Sequence, residues 1–301
     1  MIKLFTDTSA NLPLHLVRRY NITVLPFSYT LNGVEAENGA ETEFDGKAFY
    51  DAMRSGADVK TSMINIVSFL LPFEDALQNG DDVLYVGMSG GISGTANAAA
   101  IAAADLKESY PERRICAVDS LAASLGEGLQ VIEAAQMIEA GDSFDEIESH
   151  LMKRRETMCQ FFTVDDLEYL KRGGRITGAA AFVGTVLHIN PLLRGDEIGR
   201  IVLCGKARGM KRALDALAEK FDKLAADKAA PIGIAHADNE SGMELLLGKL
   251  RDCGFTGECL SVCYEPVTGS HVGPGTVALF YRGTGRELSD PAAGEKQSIP
   301  A

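Results

Sequence analysis

The sequence has no C-x-x-C pair among its six cysteines (Cys116, Cys159, Cys204, Cys253, Cys259, Cys263) and no H-x-x-x-H pair among its five histidines (His15, His150, His188, His236, His271). The common zinc frameworks are therefore missing, and Cys259 and Cys263 sit in an apolar run rather than a turn. No metal is assigned, and the thiols are expected to be reduced and buried. No stretch of about 18 uncharged apolar residues occurs, and Met1-Ile2-Lys3-Leu4-Phe5 lacks the long apolar core of a secretory leader, so a cytoplasmic protein is expected. Basic residues are the minority, 29 Lys and Arg against 42 Asp and Glu, for a net charge of −13. That balance argues against nucleic acid or an anionic membrane as the main partner. No segment repeats at a fixed period.

What is present is an ordinary globular composition, 301 residues with 46% hydrophobic and 24% charged, enough for two medium domains. The most informative stretch runs from Val83 to Ala104. Val83-Leu84-Tyr85-Val86 reads as a buried strand, Gly87 to Thr95 as a loop of glycines and hydroxyls, and the Ala-rich remainder as a helix beginning near Ser93 or Thr95. The free N–H groups and dipole of that helix start make an anion site, which Ser89, Ser93 and Thr95 can complete. The loop lacks the Gly-Lys-Ser/Thr ending of a phosphate-binding loop, and no Lys or Arg lies between Lys60 and Lys107. A singly charged anion such as a carboxylate suits it better than a polyphosphate.

The rest of the chain alternates in the same way. Ile2 to Phe5 predicts a strand ending at Thr6-Asp7-Thr8-Ser9, and Ile22 to Leu25 a second. Phe27 to Leu31, Asn32-Gly33 and Val34 predict a hairpin with a primed turn. Phe44 to Ser55 and Ile66 to Asn79 read as amphipathic helices on either side of a polar loop, Lys60-Thr61-Ser62-Met63. Arg114 to Val118 is a strand ending at Asp119-Ser120, Leu121 to Ala140 a helix, and Phe144 to Thr157 a charged helix. Beyond it, Phe161 to Val164, Ile189 to Leu193, Ile201 to Leu203, Ile232 to His236, Leu260 to Tyr264 and Val277 to Tyr281 read as strands. Lys211 to Ala226 and Met243 to Cys253 read as helices, and Pro266 to Gly275 as a loop between the last two strands. The pattern predicts an α/β fold: a Rossmann-like parallel-sheet domain over residues 1–157, a second α/β domain over 158–283, and a polar, flexible tail over 284–301. Ligands of such sheets gather at strand carboxyl ends, where Asp7, Ser89 and Asp119 fall.

Six motifs in this order resemble one family. They are Thr6-Asp7-Thr8-Ser9, Lys60-Thr61-Ser62, Met88 to Thr95, Val118 to Gly126, Asp165 to Ile176 and Gly269 to Gly275. The chain from residue 1 to about 283 is similar to the DegV family of fatty-acid-binding proteins. Resemblance to that family implies two α/β domains with an acyl chain between them, its carboxylate held by the serine and threonine loops, and no cofactor beyond a bound fatty acid such as palmitate, stearate or oleate. Some members are the B subunit of bacterial fatty acid kinase and present the carboxylate to an ATP-using partner. Gly90, Met63, Ile64 and Asn11 depart from the family pattern, which bears on head-group contacts and chain preference.

Thr61 and Ser93 are expected to donate hydrogen bonds to the carboxylate, each assisted by N–H groups at a helix start, with Ser62, Ser89, Gly94 and His271 completing the site. Arg172 and Arg175 read either as cationic caps of a helix carboxyl end or, by resemblance, as a partner-docking surface. Asp165 and Asp166 read as an N-cap and a first-turn acid, and Asp7 and Asp119 as loop-ordering acceptors. Leu70, Phe73, Phe182, Val183, Val186 and Leu187 are candidate tunnel walls. Burial of a chain of about 16 carbons releases on the order of 10 kcal/mol gross, which favours an acyl ligand over a short acid. A serine hydrolase is the alternative, because Gly87-Met88-Ser89-Gly90-Gly91 fits the nucleophile elbow and Asp165 and His271 follow in order. Against it, the serine comes early and no oxyanion motif precedes it. Gly273 to Ala278 matches a dinucleotide fingerprint but is followed by a strand, which excludes that role.

Overall fold

The computed structural model describes residues 1–37, 44–177 and 189–285. In chain order these fold as β1 Ile2–Asp7, α1 Leu14–Arg19, β2 Thr23–Leu25, β3 Ser28–Leu31, β4 Val34–Glu37, α2 Gly46–Arg54, β5 Val59–Ser62, α3 Ile66–Gln78, β6 Asp82–Gly87, α4 Thr95–Ser109 and β7 Ile115–Asp119. There follow α5 Leu125–Ala140, α6 Phe144–Arg154, β8 Met158–Thr163, α7 Glu168–Gly173, β9 Ile176–Thr177, β10 Ile189–Gly195 and β11 Ile201–Arg208. The chain then continues through α8 Met210–Leu224, β12 Ile232–His236, α9 Glu240–Asp252, β13 Cys259–Cys263, α10 Pro266–Val272 and β14 Val277–Arg282.

Three sheets result. A parallel sheet in the order β2-β1-β6-β7 carries the first half, and a seven-stranded mixed sheet in the order β13-β12-β14-β8-β10-β11-β9 carries the second. The fold class is thus α/β with a parallel amino-terminal and a mixed carboxy-terminal sheet. The third sheet is a small antiparallel one, β4-β3-β5. Its hairpin turns through Asn32 and Gly33, whose φ values of 52° and 81° are those of the primed turn that Asn-Gly favours.

Helix α5 separates the two large sheets. Leu125 and Leu129 pack into a core with Phe162, Leu193 and Phe280 of the mixed sheet, while Val131, Ala134 and Ala135 pack with Leu4, Leu84 and Val118 of the parallel sheet. The first of these cores also takes Phe49, Tyr50 and Met53 from α2, and Tyr50 Oη donates to the Tyr264 carbonyl at 2.7 Å. The amino-terminal segment therefore crosses onto the mixed sheet, which carries β5 over α10.

Four sequence expectations need correction. Residues 60–62 are not a loop: they are an edge strand, because Val59 to Ser62 pair antiparallel with β3, a partner distant in sequence. Pro266 to Gly275 is largely helix, started by Pro266 in the first turn and by Glu265, whose carboxylate accepts from the Val267 and Thr268 N–H groups, each at 2.6 Å. The long helix begins at Leu125 rather than Leu121, since Leu121 and Ser124 have φ of 53° and 52° and bend the chain first. Asp165 is not an N-cap: its carboxylate accepts from Asn190 Nδ2 at 3.2 Å, and Asp166 accepts from the Glu168 N–H at 2.9 Å.

Candidate functional site

The carboxyl ends of β1, β6 and β7 deliver three loops to one place. Asp7 organises the first: its carboxylate accepts from the Ser9 N–H at 2.9 Å, Tyr85 Oη at 2.6 Å and the Met88 N–H at 3.4 Å, and it also meets the Ser9 hydroxyl. The same hydroxyl lies 2.8 Å from Glu127 Oε2, and Thr6 Oγ1 donates to Glu127 Oε1 at 3.1 Å. Burial raises both carboxyls, Glu127 well above the ordinary range. Asp119 ties the other two loops, accepting from the Gly90 N–H at 3.1 Å and the Leu121 N–H at 2.9 Å. Asp7 and Asp119 are thus loop-ordering acceptors, as their positions after strands suggested.

Between the parallel and mixed sheets lies a cavity that opens to solvent. One region of its wall is polar, formed by Thr61 and Ser62 of β5, Ser93 before α4, His271 on α10 and Arg175 after α7. Thr61 Oγ1 is 2.9 Å from His271 Nε2, Ser93 Oγ is 2.9 Å from Thr95 Oγ1, and Arg175 Nε donates to the Ile92 carbonyl at 3.2 Å. Burial pushes His271 down to about 4, with the nearby Arg175 charge adding to the effect, so its ring is neutral at pH 7. Elsewhere the wall is mainly apolar, with Phe27, Met88, Phe162, Ile201, Val267 and Phe280. A second, more polar recess shares Thr61, Arg175 and His271 and adds Lys60 and Arg172, with Asp58 the one acid. Hydroxyls, a neutral imidazole and a guanidinium at one end of an apolar chamber suit an amphipathic acid.

The structure therefore brings Thr61, Ser62, Ser93 and His271 to one cavity. Thr61 reaches it from a strand, not from a helix start, and His271 from the last turn of a helix, not from a loop. Ser89 and Gly94 do not line it. Ser89 is fully buried, its hydroxyl donating to the Gly199 carbonyl at 3.0 Å and accepting from the Gly91 N–H at 3.1 Å. Gly94 caps α4, and an added Cβ there would meet Met63 Sδ at 2.9 Å. Gly90, where the family often has a second serine, faces Asp119 rather than the cavity. Arg172 stacks over Tyr169, 4.8 Å from the ring centre, while Arg175 turns into the cavity, a place that its position at a helix end did not announce. Phe73 is core, in edge contact with Phe5, and Leu70 packs on the same cluster; neither lines the cavity. Phe182, Val183, Val186 and Leu187 lie outside the described residues.

No hydrolytic triad assembles around Ser89, since His271 is bonded to Thr61 and Asp165 to Asn190. Among the described residues no group of three His, Cys, Asp or Glu side chains could hold a metal, and no helix is long and apolar enough to cross a membrane.

Comparison with known proteins agrees along nearly the whole chain. The family described as "Uncharacterised protein, DegV family" matches residues 1–284. A DegV domain-containing protein of Clostridium perfringens is 37% identical over 285 residues, 94% of this chain and 98% of its own. A DegV family protein from Thermus thermophilus, solved in connection with fatty acid binding, superposes with a TM-score of 0.85 at 32% identity, covering 93% of this chain and 99% of its own. A fatty acid binding DegV family protein from Streptococcus agalactiae gives 0.82 at 28% identity, over 93% and 98%.

Proposed function

Because this chain belongs to the DegV family, we propose that it binds one long-chain fatty acid in the cavity between its sheets and presents the carboxylate at the polar end. The observation that carries this reading is the convergence of Thr61, Ser93, His271 and Arg175 on one end of an otherwise mainly apolar chamber. The acyl chain supplies the affinity: about 0.8 kcal/mol per buried methylene gives a 16-carbon chain on the order of 10 kcal/mol before ordering losses. The head group then needs only satisfied hydrogen bonds and one cation. In this reading the protein performs no chemistry of its own and carries no cofactor. Residues 1–157 and 158–283 act as two lobes gripping the chain, in the cytoplasm of a bacterium.

The recess around Lys60, Arg172 and Arg175 gives the presented carboxylate a route to a second protein. We assign Arg172, at its edge, to contact with a fatty acid kinase subunit that phosphorylates the bound acid. Native mass spectrometry of freshly purified protein tests the first claim: adducts of fatty acid mass are expected, and a protein that stays ligand-free with added oleate would overturn it. ATP consumption by a purified fatty acid kinase subunit, dependent on this protein and on oleate, tests the second.

A further inference from the structure

Besides the head-group residues two polar side chains line the cavity, Thr268, whose hydroxyl donates to Glu265, and Gln160. Gln160 is the third residue of β8, and strand alternation puts it with Met158 and Phe162 on the face toward α5, while Cys159 and Phe161 face the other core. Its amide nitrogen is committed, because Nε2 donates to the Leu121 carbonyl at 3.0 Å. That bond also settles which end of the amide is which. Oε1 accepts no hydrogen bond from the described residues, and the side chain lines the cavity.

Two glycines make room for this amide. A Cβ added at Gly195 would meet Nε2 at 2.2 Å, and one added at Gly126 would meet Phe280 at 2.9 Å and Oε1 at 3.5 Å. Gln160 takes no part in the Thr61–His271, Ser93–Thr95 or Arg175–Ile92 hydrogen bonds. The acceptor makes no bond to the head-group residues and stands beside Phe280, its partner across the sheet and an apolar wall residue. A plain acyl chain drawn past Oε1 would strip its water and return nothing, whereas a chain hydroxyl would replace the lost bond.

We propose that Gln160 Oε1 reads a hydroxyl on the acyl chain, so that the preferred substrate class is a hydroxylated long-chain fatty acid. This rests on the fatty acid reading of the cavity. The test is displacement of 11-(dansylamino)undecanoic acid from delipidated protein by octadecanoic acid and by monohydroxy-octadecanoic acids with the hydroxyl moved along the chain. One narrow span of positions should bind about tenfold tighter than octadecanoic acid, and Gln160→Met should bring that ratio to about one. A flat series, one in which every hydroxyl weakens binding, or a preference that survives in Gln160→Met would overturn the proposal while leaving the fatty acid reading standing. Failure of octadecanoic acid and all hydroxy acids to displace the probe would overturn both. The wild-type series decides the question even if the Gln160 variant does not fold.

Discussion

Thr61 Oγ1 and His271 Nε2, 2.9 Å apart, join an edge strand of the small sheet to the last turn of α10 at the polar end of the cavity. The imidazole is neutral at pH 7, its proton affinity lowered to about 4 chiefly by burial. In the tautomer whose Nε2–H donates to Thr61, the threonine hydroxyl hydrogen is left for a ligand carboxylate. Thr61→Val keeps the shape and removes that donor, so the Kd for oleate should rise roughly tenfold to a hundredfold, the range for a hydrogen bond to a charged group. Displacement titration of delipidated protein checks this, and an unchanged Kd would remove Thr61 from the head-group site.

His271 also sets a pH dependence. As a base whose pKa falls from 6.5 to about 4 on folding, it binds a proton more readily in the unfolded chain. Its contribution to stability is complete above pH 6.5 and is lost as pH falls toward 4, a change of about 3 kcal/mol. Urea unfolding of delipidated protein at pH 7, 6 and 5 should show a steeper decline for the wild type than for His271→Gln. Parallel declines would contradict it.

A second titration has the opposite sign. Ser9 Oγ carries one hydrogen yet touches both Asp7 and Glu127, so one carboxyl must hold a proton. Asp7 has Tyr85 and two backbone donors besides, which leaves Glu127 as the protonated partner. An acid whose pKa is raised on folding stabilises fully below its unfolded value near 4.5 and loses that contribution as pH rises through its folded value. Glu127→Gln, which mimics the protonated acid, should melt at or above the wild-type temperature at pH 8 and depend less on pH. Glu127→Ala should lose about 1–3 kcal/mol by leaving buried partners unsatisfied.

Ser89 is structural in this arrangement. A fluorophosphonate probe should not label the protein, and Ser89→Ala should cost about 1–3 kcal/mol in urea unfolding by orphaning the buried Gly199 carbonyl. Labelling lost in the variant would restore the hydrolase reading.

The two arginines should separate. Arg175→Ala should weaken oleate binding at least tenfold at low salt and reduce its salt sensitivity, because the guanidinium lines the cavity. Arg172→Ala, stacked on Tyr169 at the edge of the recess, should leave oleate affinity within about twofold. Comparable losses in both would erase the distinction between head-group and docking roles.

What could be read from sequence depended on range. The Asn32-Gly33 turn and the strand, loop and helix around Ser93 are local, each signalled by its own residues. The sequence singles out Thr61 as a candidate but not its strand, because a four-residue edge strand is defined by pairing with β3, about thirty residues earlier. Phe73 and Phe162 look alike as sequence, yet one is core and the other cavity wall; only packing distinguishes them. Gln160 gives no signal and Arg175 reads as a cap or docking residue rather than a cavity one, since a glutamine in a strand and an arginine after a helix are commonplace until the fold aims them inward.

The crossing of α2 onto the mixed sheet has a further consequence. Phe49, Tyr50 and Met53 come from the first fifth of the chain but are sealed by residues from its second half. Cutting the polypeptide after Thr157 would strand these side chains in water, an apolar patch that invites self-association. The halves are laced together rather than merely docked, and neither piece is a ready-made module for transplantation.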